Sequence, residues 1–156
     1  MKLFFLSAFY ILFLSFFSCK SNKTPKENEV PFETVFESVS LGGENEGTKV
    51  VQNKNDLENF EMANGNEMPK ELLDVDFSKK TMLMVMSGTK NTGGFDIHIE
   101  KIMEDNDKIT VFYKETNPPK DAMLIMALTY PLHAVSIKKT KKEIVFEKMQ
   151  TANPKK

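Results

Sequence analysis

From Phe32 to Lys148 apolar and polar residues alternate with a period close to two, the spacing that sends successive side chains of a β-strand to opposite faces. Thr34 to Ser40 reads as a first strand, closed by the glycine-bearing turn at 41–45, and Lys49 to Gln52 as a short second one. Asn55 then offers an N-cap for a short helix over 56–62, with acids in its first turn and Leu57, Phe60 and Met62 toward one side, ended by Asn64 and Gly65. Leu72 to Phe77 leads into Thr81 to Met86, which is apolar at almost every position and so predicts a central strand covered on both faces. Phe95, Ile97 and Ile99 alternate with Asp96, His98 and Glu100, a turn follows at 104–107, and Ile109 to Tyr113 completes a hairpin. Met123 to Tyr130, Ala134 to Lys138 and Glu143 to Lys148 supply three more strands, broken by Pro131 and by the polar run 139–142. The expected fold class is α+β, a mostly antiparallel β-sheet or sandwich of about eight short strands with one short helix.

The first residues follow another pattern. Lys2 precedes an apolar run over 3–18 that stops at Cys19, the single cysteine of the chain. A positive charge, a short hydrophobic stretch and a small residue before the break are the parts of a secretory signal, and the cysteine behind them makes residues 1–18 a lipoprotein signal peptide. The run falls short of the roughly 20 apolar residues that a membrane span requires. Cleavage makes Cys19 the first residue, with a diacylglycerol on its thiol. Each buried methylene contributes about 0.8 kcal/mol, so one chain gives reversible attachment and the two or three of a lipoprotein give a durable one.

Residues 19–31 are then the lipidated cysteine and a flexible tether with almost nothing to bury, 32–149 a single globular domain, and 150–156 a disordered tail. Lys20, rather than an aspartate, follows Cys19, which tilts the expected place in a bacterial cell envelope toward the outer membrane. With its cysteine committed to lipid the chain has no disulfide, and stability rests on packing.

Composition removes several functions. All 21 basic residues are lysine and the formal net charge is −1, so the arginine fork and the basic surface that nucleic acid selects are both missing. No Gly-x-Ser-x-Gly motif is present, and His98 and His133 lie far apart in sequence with no motif around either, so no enzyme activity and no cofactor are expected. His98 falls on the polar face of its strand and reads as solvent-exposed, and His133 reads as a partly buried hydrogen-bonding residue at a strand start. Two histidines alone do not make a zinc site. Met82, Met84 and Met86 share one strand face and could hold Cu(I), but methionine more often fills gaps in a core. The acids at 44–46 and 104–107 sit in turns, without the spacing of a calcium loop. No metal is expected.

Two loops carry more information. Ser87 to Phe95 contains Gly88, Gly93 and Gly94, and Glu115 to Asp121 contains Pro118 and Pro119. With Val75 to Ser78 before them and Ala127 to Pro131 after them, in that order, residues 75–138 resemble the PrcB C-terminal domain family. That family is named for a small lipoprotein subunit of a bacterial subtilisin-like surface protease complex. The resemblance implies a non-catalytic accessory subunit whose partner is a protein, a subtilisin-like protease in the namesake. The hairpin should return the second loop beside the first, which makes Thr89, Asn91, Thr92, Gly93, Gly94, Asn117, Pro118, Pro119 and Lys120 the candidate partner-binding residues. The alternatives are a loop-based protease inhibitor and a stand-alone envelope scaffold.

Overall fold

The computed structural model describes residues 28–150. The signal peptide, Cys19, most of the tether and the tail beyond residue 150 lie outside the described residues. Among the described residues seven strands form two sheets: β1 (Glu33–Ser38), β2 (Glu46–Val51), β3 (Lys80–Ser87) and β6 (Leu132–Lys138) in the order β1-β6-β3-β2, and β4 (Asp96–Glu104), β5 (Lys108–Thr116) and β7 (Glu143–Lys148) in the order β4-β5-β7. Every pairing is antiparallel except that of β5 with β7. The expected eighth strand over 123–130 is not formed. Two short helices, α1 (Lys54–Glu58) and α2 (Lys70–Leu73), and a 3-10 turn at Ala63–Gly65 replace the single expected helix.

The double-sided apolar pattern of β3 is accounted for by a core on each face. Leu83 and Val85 face the three-stranded sheet and pack with Ile97, Ile99, Ile102, Ile109, Val111, Val135 and Ile137 between the sheets. Met82, Met84 and Met86 face the other way and pack with Leu57, Leu72, Leu132 and Ala134 beneath the helices. The methionines are therefore core, with Met82 and Met84 fully buried. The layers run three-stranded sheet, four-stranded sheet, helices.

The N-cap of α1 is Asn53, whose side chain accepts from the Asp56 amide, rather than Asn55. The Asp56 carboxylate accepts in turn from the Gln52 amide at 2.8 Å, so two amides at the helix start are satisfied reciprocally. α2 begins after Pro69, and its buried Leu72 belongs to a helix instead of leading a strand.

All strands run between two ends. At the base, the described chain enters by pairing Glu29 with Met103, and Val30 donates its amide to Ile102 O at 2.8 Å. This covers the outer edge of β4 near its end. At the opposite end, the apex, β3 leaves into the glycine loop, β4 starts, β5 leaves into the proline loop and β6 starts. The nine residues of β4 separate base from apex by about 27 Å, at roughly 3.4 Å per residue.

Candidate functional site

The apex is a single cluster of loops held by backbone hydrogen bonds. Lys90 and Thr129 exchange both amide bonds at 2.9 Å, Gly93 donates to Ile125 O at 3.0 Å, and the Thr129 hydroxyl donates to Thr92 O at 2.9 Å. Thr89 donates its amide to Glu44 O at 3.0 Å and ties the glycine loop to the turn after β1. Gly94 has φ +87°, and a Cβ there would lie 2.9 Å from Pro118 Cβ. The glycine and proline loops thus meet at Gly94 and Pro118. Asn91, Gly94, Asn117, Pro119, Lys120 and Thr89 are exposed, while Thr92, Gly93 and Pro118 are half-buried supports.

A buried carboxylate braces this cluster from below. Glu115, at the end of β5, accepts from Lys148 of β7 at 2.5 Å and pairs with Lys90 of the glycine loop at 2.7 Å. Lys148 also reaches Glu46 of β2 at 3.0 Å, and Lys90 lies over the Phe95 ring, 5.4 Å from its centroid. Burial raises the Glu115 carboxyl, but the hydrogen bonds from Lys148 and Lys90 outweigh it and hold its pKa below the usual carboxylate value. The same partners, Glu115 and Glu46, raise the Lys148 ammonium above the ordinary lysine value. Four elements, β2, the glycine loop, β5 and β7, are joined through these charges.

Above the brace stands a feature that sequence reasoning placed in a strand. Residues 121–128 are exposed throughout, and within them Met123 is fully exposed, Met126 82%, Ile125 76% and Leu128 56%. Six consecutive apolar residues, 123–128, are therefore exposed, and among them Leu124, at 37%, lies against Gly94 while Met123, Ile125, Met126 and Leu128 project into solvent. Met123, Leu124, Met126 and Leu128 make no backbone hydrogen bond among the described residues, and Ala127 donates to Ile125 O at 3.0 Å across a tight turn at Met126. The run is as apolar as the buried Thr81 to Met86. Its flanks distinguish the two: Pro118, Pro119 and Pro131 bracket 123–128 and remove the amide donors that would carry pairing into it.

The two histidines, distant in sequence, meet at the apical end of the sandwich with ring centroids 5.3 Å apart and edge to face. His98 is half-buried rather than solvent-exposed, with Nε2 at 2.7 Å from Asp96 Oδ2 and Nδ1 at 3.9 Å from Glu37. His133 is 3% exposed. Its Nδ1 accepts from the Ile99 amide at 2.9 Å, so the ring proton sits on Nε2, which donates to Thr34 Oγ1 at 3.1 Å. Glu37, His98 and His133 bring ligand atoms within 4.8 Å of one another. A metal on His133 Nε2 would require the proton to move to Nδ1, against the Ile99 N–H, so the arrangement does not suit a divalent ion.

The geometry defines a β-sandwich with a helical layer that presents an ion-braced, partly apolar loop cluster at one end. Residues 81–138 match the family model described as PrcB C-terminal, the family that the loops resemble. The match runs from β3 to the end of β6 and includes the glycine loop, the proline loop and the exposed apolar segment. No curated protein and no solved structure matches the chain.

Proposed function

We propose that this protein is a lipid-anchored, non-catalytic accessory subunit that docks a partner protein of the cell envelope through its apex. The observation that carries the reading is the run 123–128. Contiguous exposed apolar surface of this kind is uncommon on a protein that works alone, and full burial of each Met, Leu or Ile side chain would contribute about 1.5–3 kcal/mol to association. The brace at Glu115 adds rigidity, which lowers the entropy cost of ordering the loops on docking.

The anchor and the apex suit one another. A lipid on Cys19, followed by the polar tether, attaches the domain at its base, and the apex stands about 27 Å away, at roughly 3.4 Å per residue of β4. The docking surface then lies at the end of the domain farthest from its point of attachment. The family resemblance makes a subtilisin-like protease the first partner to seek. The tight turn at Met126 bends the apical loop, whereas cleft-bound inhibitor loops run extended along the enzyme, and this favours docking over inhibition.

The test combines Met123→Ser, Ile125→Ser and Met126→Ser in the full-length tagged protein, with Asn117→Ala and Lys120→Ala as a second variant. All five positions are exposed, so melting temperatures should match the parent. The parent should recover a stoichiometric partner from detergent-solubilised membranes of its own organism, and the triple variant should lose it. Equal recovery by parent and triple variant would overturn the apical assignment, and a parent that recovers nothing would overturn the accessory role.

A further inference from the structure

His133 occupies an unusual place in this sandwich. It projects from β6 of one sheet and its Nδ1 accepts from the Ile99 amide of β4, an edge strand of the other. That amide lies just before the bulge between Ile99 and Lys101. The lower half of the same β4 edge is held separately, by Val30 on Ile102 O and by Glu104 donating to Asn28 O at 2.8 Å. Among the described residues this imidazole nitrogen supplies the hydrogen bond that joins the apical half of β4 to β6, beside the apolar packing of Ile97 and Ile99 on Val135.

The bond depends on a neutral ring. A proton on Nδ1 would turn the acceptor into a donor aimed at the Ile99 N–H and leave two buried donors facing each other with no acceptor between them. The groups that surround the ring are Thr34 and Glu37 from β1, Asp96, His98 and Glu100 from β4, and Val85, its apolar partner on β3. Burial and the adjoining His98 disfavour the charged ring, and Glu37, Asp96 and Glu100 favour it, with the net effect a pKa below the ordinary histidine value.

We propose that His133 is an acid-sensitive clasp between the two sheets, whose protonation releases the apical half of β4, and with it the strand into which the glycine loop runs. The closed state binds the proton more weakly than the open one. Opening is thus coupled to uptake of one proton, and it becomes about tenfold easier per pH unit between the ordinary histidine pKa near 6.5 and the lowered closed-state value.

Amide hydrogen exchange on the full chain in detergent, corrected for intrinsic rates, reads this directly. From pH 7.5 to 5.5 the protection of the Ile99 amide should begin to fall near pH 6.5, by at most about tenfold per pH unit and only down to the lowered closed-state value, while that of Val30 at the base stays constant. His133→Asn keeps an acceptor near the Ile99 N–H and does not titrate, so its Ile99 protection should be flat over the same range. Constant Ile99 protection in the parent would overturn the clasp. So would an equal fall in His133→Asn, or an equal fall at Val30, which would report opening of the whole sandwich. Should His133→Asn fail to fold, the parent comparison of Ile99 with Val30 decides alone.

Discussion

At the scale of single residues, two adjacent glycines in the apical loop have different work. Gly94 holds φ +87° against Pro118, so a Cβ meets both backbone strain and a contact at 2.9 Å, whereas a Cβ on Gly93 would find its nearest neighbour at 4.0 Å in ordinary contact. Gly94→Ala should cost about 1–2 kcal/mol, from the left-handed backbone conformation alone. Gly93→Ala should leave the urea midpoint unchanged, and equal midpoints for the two variants would refute this division. The chain's composition marked both glycines, but only the path of the loop shows which one is bound by geometry. Asn53 and Asn55 present the same ambiguity: both are good caps, and the Asp56 carboxylate reaching back to the Gln52 amide selects the first.

At the scale of elements, alternation was a sound guide wherever a strand had a neighbour to pair with. The double-sided apolar run in β3 led correctly to a central strand, and the hairpin of β4 and β5 followed from its turn residues. Residues 123–128 have the same local character and form no strand, because prolines flank them and every position beside β6 is already taken by β1 and β3. Hydrophobicity reports a preference for burial and leaves open whether the burial occurs in the chain itself. The pairing of His98 with His133 was equally invisible, since it depends on how two sheets stack. For β3, Met84→Ala should destabilise by about 2–5 kcal/mol and Met84→Leu by less than about 1.5, with unchanged denaturant slopes. A mild effect of Met84→Ala would mean that the helical layer is loosely packed on the sheet.

At the scale of the whole molecule, three groups that join strands contribute to the dependence of stability on pH, beside the exposed carboxylates Glu33, Asp76 and Asp105, whose values are also lowered by their hydrogen-bond partners. Glu115 has a lowered folded pKa, so its contribution is complete above the unfolded carboxylate value and is lost as pH falls through the folded one. His133 is also lowered, and its contribution is complete above about 6.5 and declines below that. Lys148 is raised, so its contribution is complete below the unfolded lysine value and is lost as pH rises through the folded one. Urea unfolding should therefore show greatest stability between about pH 7 and 10, with a first decline near pH 6.5 and a second in the carboxylate range. Glu115→Ala should remove the second decline in part and cost about 2–3 kcal/mol at neutral pH, because two lysines lose a shared, mostly buried partner. A flat profile from about pH 7 to 5 would contradict the His133 assignment, and one that stays flat through the carboxylate range down to about pH 2 would contradict both.

The same scale carries the functional claim, that a domain tethered at its base offers its apex to a partner protein. The most direct measurement is in-cell photo-cross-linking of the full-length protein, with a photoreactive residue replacing Ile125 at the apex or, in parallel, Lys101 on the outer face of the three-stranded sheet. The account predicts a discrete protein adduct from position 125 and none from position 101. An adduct from position 101 alone, or none from either, would contradict it.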